Sequence, residues 1–157
     1  MSPSFSKVFL AVVAVAVLAT TQSEASLCAK SSFPKLCESV IGGTSSPEAA
    51  LTKSIQASLK QFLNAQSTAR HTNANKSCRE QCAEMYQSAI DSLNHSLEYV
   101  KTKDIGGLRS ELSAVLTYVE TCNDAFAEFQ IKNPYANTNE KLKEYGDNNL
   151  VLAAAIH

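Results

Sequence analysis

Hydrophobic and polar positions along this 157-residue chain fall into one short apolar block and four long stretches of helical period. Leu51, Ile55, Leu59, Phe62 and Gln66 recur at spacings of 4, 4, 3 and 4, which keeps them on one side of an α-helix. Ser46-Pro47-Glu48 supplies its start: a capping hydroxyl, a proline whose missing N–H costs nothing in the first turn, and an acid at the positive end of the helix dipole. The polar run His71–Ser77 reads as a loop. A second helix is predicted from about Cys78 to Val100. Wound at about 100° per residue, its Cys82, Tyr86, Ala89, Ile90, Leu93, Leu97 and Val100 share an apolar arc, opposite Glu84, Asp91, His95 and Glu98.

The segment Lys101–Gly107 predicts a turn, with Asp104 able to cap the next helix. Leu108, Leu112, Val115, Leu116, Val119, Cys122 and Phe126 form the third stripe, with Ser110, Ser113, Thr117, Thr121 and Asp124 on its polar side. Asn133-Pro134 ends that stretch, because the residue before proline is pushed out of the helical region. Thr138 is the expected cap of a last helix carrying Leu142, Tyr145, Asn149, Leu152 and Ile156. No long segment alternates with period two. Four one-faced helices with short connections bury their stripes together as an up-down-up-down four-helix bundle, so the fold class is all-α.

The apolar block lies outside this pattern. Val8–Ala19 is unbroken, follows the positive Lys7, and leads to Ser23-Glu24-Ala25 with small residues at the positions a signal peptidase inspects. Twelve helical residues span only about 18 Å against roughly 30 Å of bilayer hydrocarbon. Residues 1–25 are therefore read as a signal peptide and 26–157 as the secreted domain, with 26–43 an N-terminal extension and 44–157 the bundle. No membrane association is expected after cleavage.

Composition narrows the function. Fourteen Lys and Arg against 15 Asp and Glu leave a net charge of −1, with no basic face for nucleic acid. Motifs of hydrolases, metalloproteases, P-loop proteins and dinucleotide binders are absent. His71, His95 and His157 fall in the predicted loop, on a polar face and at the C-terminus, without a nucleophile at a suggestive spacing. Glu84 and Asp91 on a convex face lack the cleft that acid–base work needs, so no enzyme is expected. No cofactor is implied. The five cysteines Cys28, Cys37, Cys78, Cys82 and Cys122 all lie beyond the apolar block, where secretion favours disulfides and an odd count leaves one thiol. Zinc held by Cys78 and Cys82 with His71 or His95 lacks the usual second ligand pair, so no metal is expected.

Three stretches go beyond generic amphipathicity: Cys28–Cys37 (CAKSSFPKLC), Cys82–Leu93 (CAEMYQSAIDSL) and Leu112–Phe126 (LSAVLTYVETCNDAF). Together they resemble the plant invertase and pectin methylesterase inhibitor family over nearly all of 26–157. The resemblance implies a helical hairpin ahead of the bundle and two disulfides, Cys28–Cys37 and Cys82–Cys122. Antiparallel packing of the second and third bundle helices supports the latter pair. Loop-closure entropy gives about 2.7 and about 3.9 kcal/mol for the two links. Cys78 departs from that pattern as a leftover thiol, one turn from Cys82. The connection from Cys37 to Cys82 also looks short for the family, which questions the length of the first bundle helix.

The resemblance further implies a secreted, cell-wall (apoplastic) inhibitor that binds pectin methylesterase reversibly, one-to-one, and covers its substrate cleft. The matching positions are Glu84, Ser88, Asp91, Thr121 and Asp124. The alternative target is acid invertase, cell-wall or vacuolar. Invertase inhibitors of this family carry Pro-Lys-Phe at a bundle tip, where this chain has Gln130–Tyr135 (QIKNPY) instead; Phe33-Pro34-Lys35 holds related letters in another order and place. A secreted bundle that carries a small ligand is the remaining class. Asn75-Lys76-Ser77 and Asn94-His95-Ser96 are glycosylation sequons, of which Asn75 lies in the polar loop and is the better site.

Overall fold

A computed structural model describes residues 27–157, so the expected signal peptide lies outside the described residues. Within them Leu27 and Cys28 make a helical turn, and helix α1 runs Pro34–Ile41. A disulfide from Cys28 to Cys37 folds the two pieces onto each other. The helix ends at Gly42, which takes a left-handed φ of 45° that a side chain would strain. Lys53 of the next helix then donates its Nζ to the carbonyls of Ile41 at 2.9 Å and Gly42 at 3.4 Å, and to the Thr44 hydroxyl. That cation sits at the negative end of α1 and fastens the extension to the bundle. The Ser31 hydroxyl adds a hydrogen bond to Asn148 of the last helix.

Four long helices complete the chain: α2 (Pro47–His71), α3 (Lys76–Thr102), α4 (Ile105–Glu128) and α5 (Ala136–Ala153). Ser46 caps α2 through the Ala49 amide, and Asp104 caps α4 through Gly107 N–H at 2.9 Å, as their positions predict. The first bundle helix has 25 residues, so the short Cys37–Cys82 connection does not truncate it. His71 and Ser77 belong to helix ends rather than to the loop, which shrinks to Thr72–Asn75.

Thr138 is not the cap of α5. Asn133 Oδ1 accepts from the Tyr135 amide at 2.8 Å, and the helix starts three residues earlier than a Thr138 cap implies, at Ala136 with Tyr135 as its cap.

Each long helix packs on two neighbours: α2 and α4 both lie against α3 and α5. The predicted stripes meet in one core, where Leu51, Ile55, Phe62, Tyr86, Leu93, Leu108, Leu112, Val115, Leu142 and Leu152 are all sealed from solvent. Leu59, Leu97 and Val100 only flank it. Phe62, Tyr86, Tyr135 and Phe126 form a run of edge-to-face rings, centroids 5.7–6.5 Å apart, through the end of the bundle that holds the α2–α3 and α4–α5 loops.

The core also holds polar residues. Ser54, Ser58, Ser92, Ser96, Asn139, Asn148 and Asn149 are buried. Two of these serines spend their hydroxyls within the helices: Ser58 on Ser54 O at 2.9 Å, Ser96 on Ser92 O at 2.8 Å. Ser58 Oγ also accepts from Asn149 Nδ2 at 2.8 Å, tying α5 to α2.

Candidate partner-binding face

Helices α3 and α4 lie antiparallel and are joined by the Cys82–Cys122 disulfide, with the two Cα atoms 4.6 Å apart. This link sets their register. Nearer the loop end, Cys78 Sγ reaches Ala125 O at 3.2 Å; further down, His95 Nδ1 meets Glu111 Oε1 at 3.4 Å. Cys78 is free and buried, so its sulfur packs in the core as a weak donor.

The register fixes the heights of the five candidate residues. At about 1.5 Å per residue, Asp124 stands about 3 Å above the disulfide towards the loop end. Thr121 stands about 1.5 Å below it and Glu84 about 3 Å below. Ser88 and Asp91 continue down α3, one turn and about two turns beyond Glu84. Glu84, Asp91 and Asp124 are exposed, and Ser88 and Thr121 are half-buried at the seam. Glu84, Ser88 and His95 share the side of α3 that borders α4, since His95 pairs across to Glu111.

The hydroxyls of this face are engaged as donors to their own helices, Ser88 to Glu84 O at 3.2 Å and Thr121 to Thr117 O at 2.9 Å, which leaves their lone pairs outward. Among the described residues no protein donor meets the Glu84 or Asp124 carboxylates. Asp91 is held differently. Its Oδ1 accepts from Gln87 Nε2 at 2.9 Å, and Gln87 Oε1 accepts from Gln66 Nε2 at 2.8 Å on α2. Asp91 thus leans away from the seam and towards α2.

Behind the face lies a polar network that hydropathy did not announce. Tyr86 donates to Asn139 Oδ1 at 2.5 Å, and Asn139 Nδ2 donates to Asn123 Oδ1 at 2.6 Å. The same Asn123 oxygen accepts from Asn133 Nδ2 at 2.9 Å, and Asn123 Nδ2 donates to Glu120 Oε2 at 3.1 Å. Glu120 Oε1 is 2.6 Å from Lys143 Nζ, which also lies 3.6 Å from Glu140. The Lys143 ammonium, with help from Asn123, holds the Glu120 carboxyl below its ordinary range, and Glu120 in turn raises the lysine. Burial, with Tyr135 adding to it, pushes the Tyr86 phenol well above its usual range against the opposing pull of Asn139. It is a fixed donor at any physiological pH.

Sequence reasoning placed His95 on the polar face of α3 and set it aside as a catalytic or zinc-binding residue, but missed its contact with Glu111. The disulfide register holds the signal: His95 is 13 residues after Cys82 and Glu111 is 11 before Cys122, so antiparallel helices bring them level.

Among the described residues, no group of three or more His, Cys, Asp or Glu is placed to hold a metal ion. None of the described helices is long and apolar enough to cross a membrane.

A family model, plant invertase/pectin methylesterase inhibitor, matches residues 22–152. The chain belongs to the plant invertase/pectin methylesterase inhibitor family. Two solved structures share the fold of this family member. One is a mutant form of a pectin methylesterase inhibitor from Arabidopsis, with a TM-score of 0.73 and 17% identity over 85% of this chain and 97% of that one. The other is a pectin methylesterase inhibitor from Arabidopsis thaliana, with a TM-score of 0.65 and 17% identity over 87% and 97%. No curated protein sequence matches the chain significantly. The family is one of enzyme inhibitors, and its two named targets are an esterase and a glycosidase.

Proposed function

We propose that this protein is a secreted inhibitor that binds pectin methylesterase reversibly, one-to-one, and occludes its substrate cleft with the outer face of α3 and α4. Signal cleavage near Ala25 would deliver residues 26–157 to the cell wall as the working domain. The observation that supports the reading is the placing of exposed Glu84 and Asp124, with half-buried Ser88 and Thr121 between them and exposed Asp91 at one edge, on two helices pinned side by side by Cys82–Cys122.

Occlusion needs no chemistry from the inhibitor. A pectin cleft is built to hold a chain of hydroxyls and carboxylates, and this face offers both group types on a rigid convex surface. Ser88 and Thr121 present acceptor lone pairs, and Glu84 and Asp124 present carboxylates with no competing protein donor among the described residues. Repulsion from the enzyme's own carboxylates grows with pH, so binding tightens towards the acidic range of the wall.

The second reading, inhibition of acid invertase, rests on the family's double target; the exposed α4–α5 loop, with Gln130–Tyr135 in place of Pro-Lys-Phe, weighs against it. The deciding experiment titrates the refolded, disulfide-bonded protein against both enzymes at acidic pH. Saturable inhibition of pectin methylesterase with one-to-one stoichiometry, relieved on dilution, is expected. Unchanged esterase activity at micromolar excess overturns the proposal, and loss of invertase activity under those conditions establishes the second reading.

A further inference from the structure

The end of the bundle formed by the α2–α3 and α4–α5 loops holds a cleft of about 470 Å³ that the inhibitory face does not use. Phe126, Ile131 and Pro134 give it an apolar floor, and the amides of Asn73, Asn75, Asn133 and Asn137 line its rim. Sugars suit such a site. The C–H face of a pyranose ring lies on apolar groups while its hydroxyls reach amides, and the volume falls within the range of small-ligand sites.

Asn75 is both a lining residue of this cleft and the acceptor position of a sequon. It is the N-cap of α3, with φ −49° and ψ 124°, outside the hydrogen-bonded body of the helix. Its Oδ1 is occupied by the Cys78 amide at 3.2 Å. Its Nδ2, the atom a glycan would take, donates to no protein group among the described residues. Ser77, the hydroxyl residue of the sequon, is exposed.

The other sequon is built the opposite way. Asn94 sits within α3 with its Nδ2 donated to Ile90 O at 3.0 Å. Ser96, its hydroxyl residue, is sealed in the core and donates to Ser92 O at 2.8 Å. Asn94 also lies three residues from Asp91, on the flank of the candidate face.

We infer that the protein carries one N-linked glycan, on Asn75, and that its first sugar seats over the apolar cleft between the two loops while Asn94 stays bare. The inference rests on secretion, part of the function proposed above. In the transfer, Asn75 Nδ2 bonds to C1 of a lipid-linked oligosaccharide pyrophosphate. The C1–O bond to pyrophosphate breaks, one amide proton is lost, and the lipid pyrophosphate departs. The amide oxygen is untouched, so the helix cap survives modification. The sugar shields Ile131, which the bare protein leaves exposed.

The test expresses the full chain in plant cells and analyses both medium and cell extract by peptide mass spectrometry. Release with a glycosidase in heavy-oxygen water marks the modified asparagine. The expected result is secreted protein marked at Asn75 alone. Secreted protein bare at Asn75, or marked at Asn94, overturns the inference and leaves secretion standing. Protein retained and bare overturns both. Seating is read separately by amide hydrogen exchange on Ser77→Ala, which removes the sequon but keeps the Asn75 cap. Exchange across 129–137 should be several-fold faster in the variant than in the glycosylated protein, with the middle of α3 unchanged. Equal exchange in the two refutes the seat.

Discussion

Asn139→Ala tests the buried network that ties α3, α4 and α5 together. The Tyr86 hydroxyl lies in a residue with no solvent exposure and has one good acceptor, Asn139 Oδ1 at 2.5 Å. The nearest alternative is the Cys122 sulfur at 3.5 Å, a poor one. Truncation strands the phenol, at a cost of about 1–3 kcal/mol. The lost carboxamide leaves a void worth about 1 kcal/mol more. Asn123 Oδ1 keeps its bond from Asn133, so the damage stops there. The total is about 2–4 kcal/mol, which at roughly 4 °C per kcal/mol for a chain of this size lowers Tm by about 8–16 °C. Tyr86→Phe alone should cost about 1–2 kcal/mol, because it strands the buried Asn139 Oδ1 acceptor while Asn139 Nδ2 keeps its bond to Asn123. The double variant should then be more stable than the summed single losses imply, by about 1–2 kcal/mol, since no phenol is left unpaired. Urea melts with disulfides intact, compared at equal m-values, measure all three. A loss below about 0.5 kcal/mol for Asn139→Ala, or strict additivity of the pair, would show that water or a rearranged side chain already serves the hydroxyl.

Thr121→Ala and Asp124→Ala should each weaken esterase inhibition by about 5- to 150-fold in titrations, while the melting temperature stays within a degree or so. Because the folded Tyr86 phenol titrates above its unfolded value, its contribution is complete below about pH 10 and is lost as pH rises beyond that; denaturant melts should show this alkaline loss in the native protein and its near absence in Tyr86→Phe. Glu120 behaves in the opposite sense: its depressed carboxyl stabilises above about pH 4 and loses that contribution as pH falls further. Glu120→Gln should therefore flatten the acid limb of the stability profile while costing under about 1 kcal/mol near neutrality, since both partners are substantially exposed.

The helices were legible because their starts are written in local chemistry. Ser46-Pro47-Glu48 and Asp104 cap where their types predict, and the apolar stripes of α2, α3 and α4 point inward with few exceptions. The start of α5 was not legible. Thr138 is a good cap by type, but the Asn133 side chain closes a turn on Tyr135 and the helix is already under way. Part of the inward face of α5 also escapes hydropathy, since Asn139 and Asn148 are buried beside Asn149, which the helical period had already placed there; Asn148 and Asn149 bond to serines on other segments. Their burial depends on partners more than 90 residues away in sequence. For the candidate face, helix angle put Glu84, Asp91, Thr121 and Asp124 on the polar sides of their helices, and the family resemblance added Ser88 between them. It could not show that Asp91 is drawn towards α2 through Gln87 and Gln66, because that contact belongs to the packed pair of helices.

The Cys82–Cys122 crosslink has a consequence for association rather than for folding. Thr121 adjoins one of its cysteines and Glu84 is two residues from the other, so the spacing between the two helical arms of the face is set covalently. Docking a surface whose arms could slide or splay would sacrifice that freedom on contact, and the lost entropy would come out of the affinity. In the secreted inhibitor proposed above, that freedom is removed before any partner arrives, when the disulfide forms. The face is preorganised, and its grip should depend on the redox history of the chain: a reduced but still helical molecule would present the same side chains and hold a partner for a shorter time.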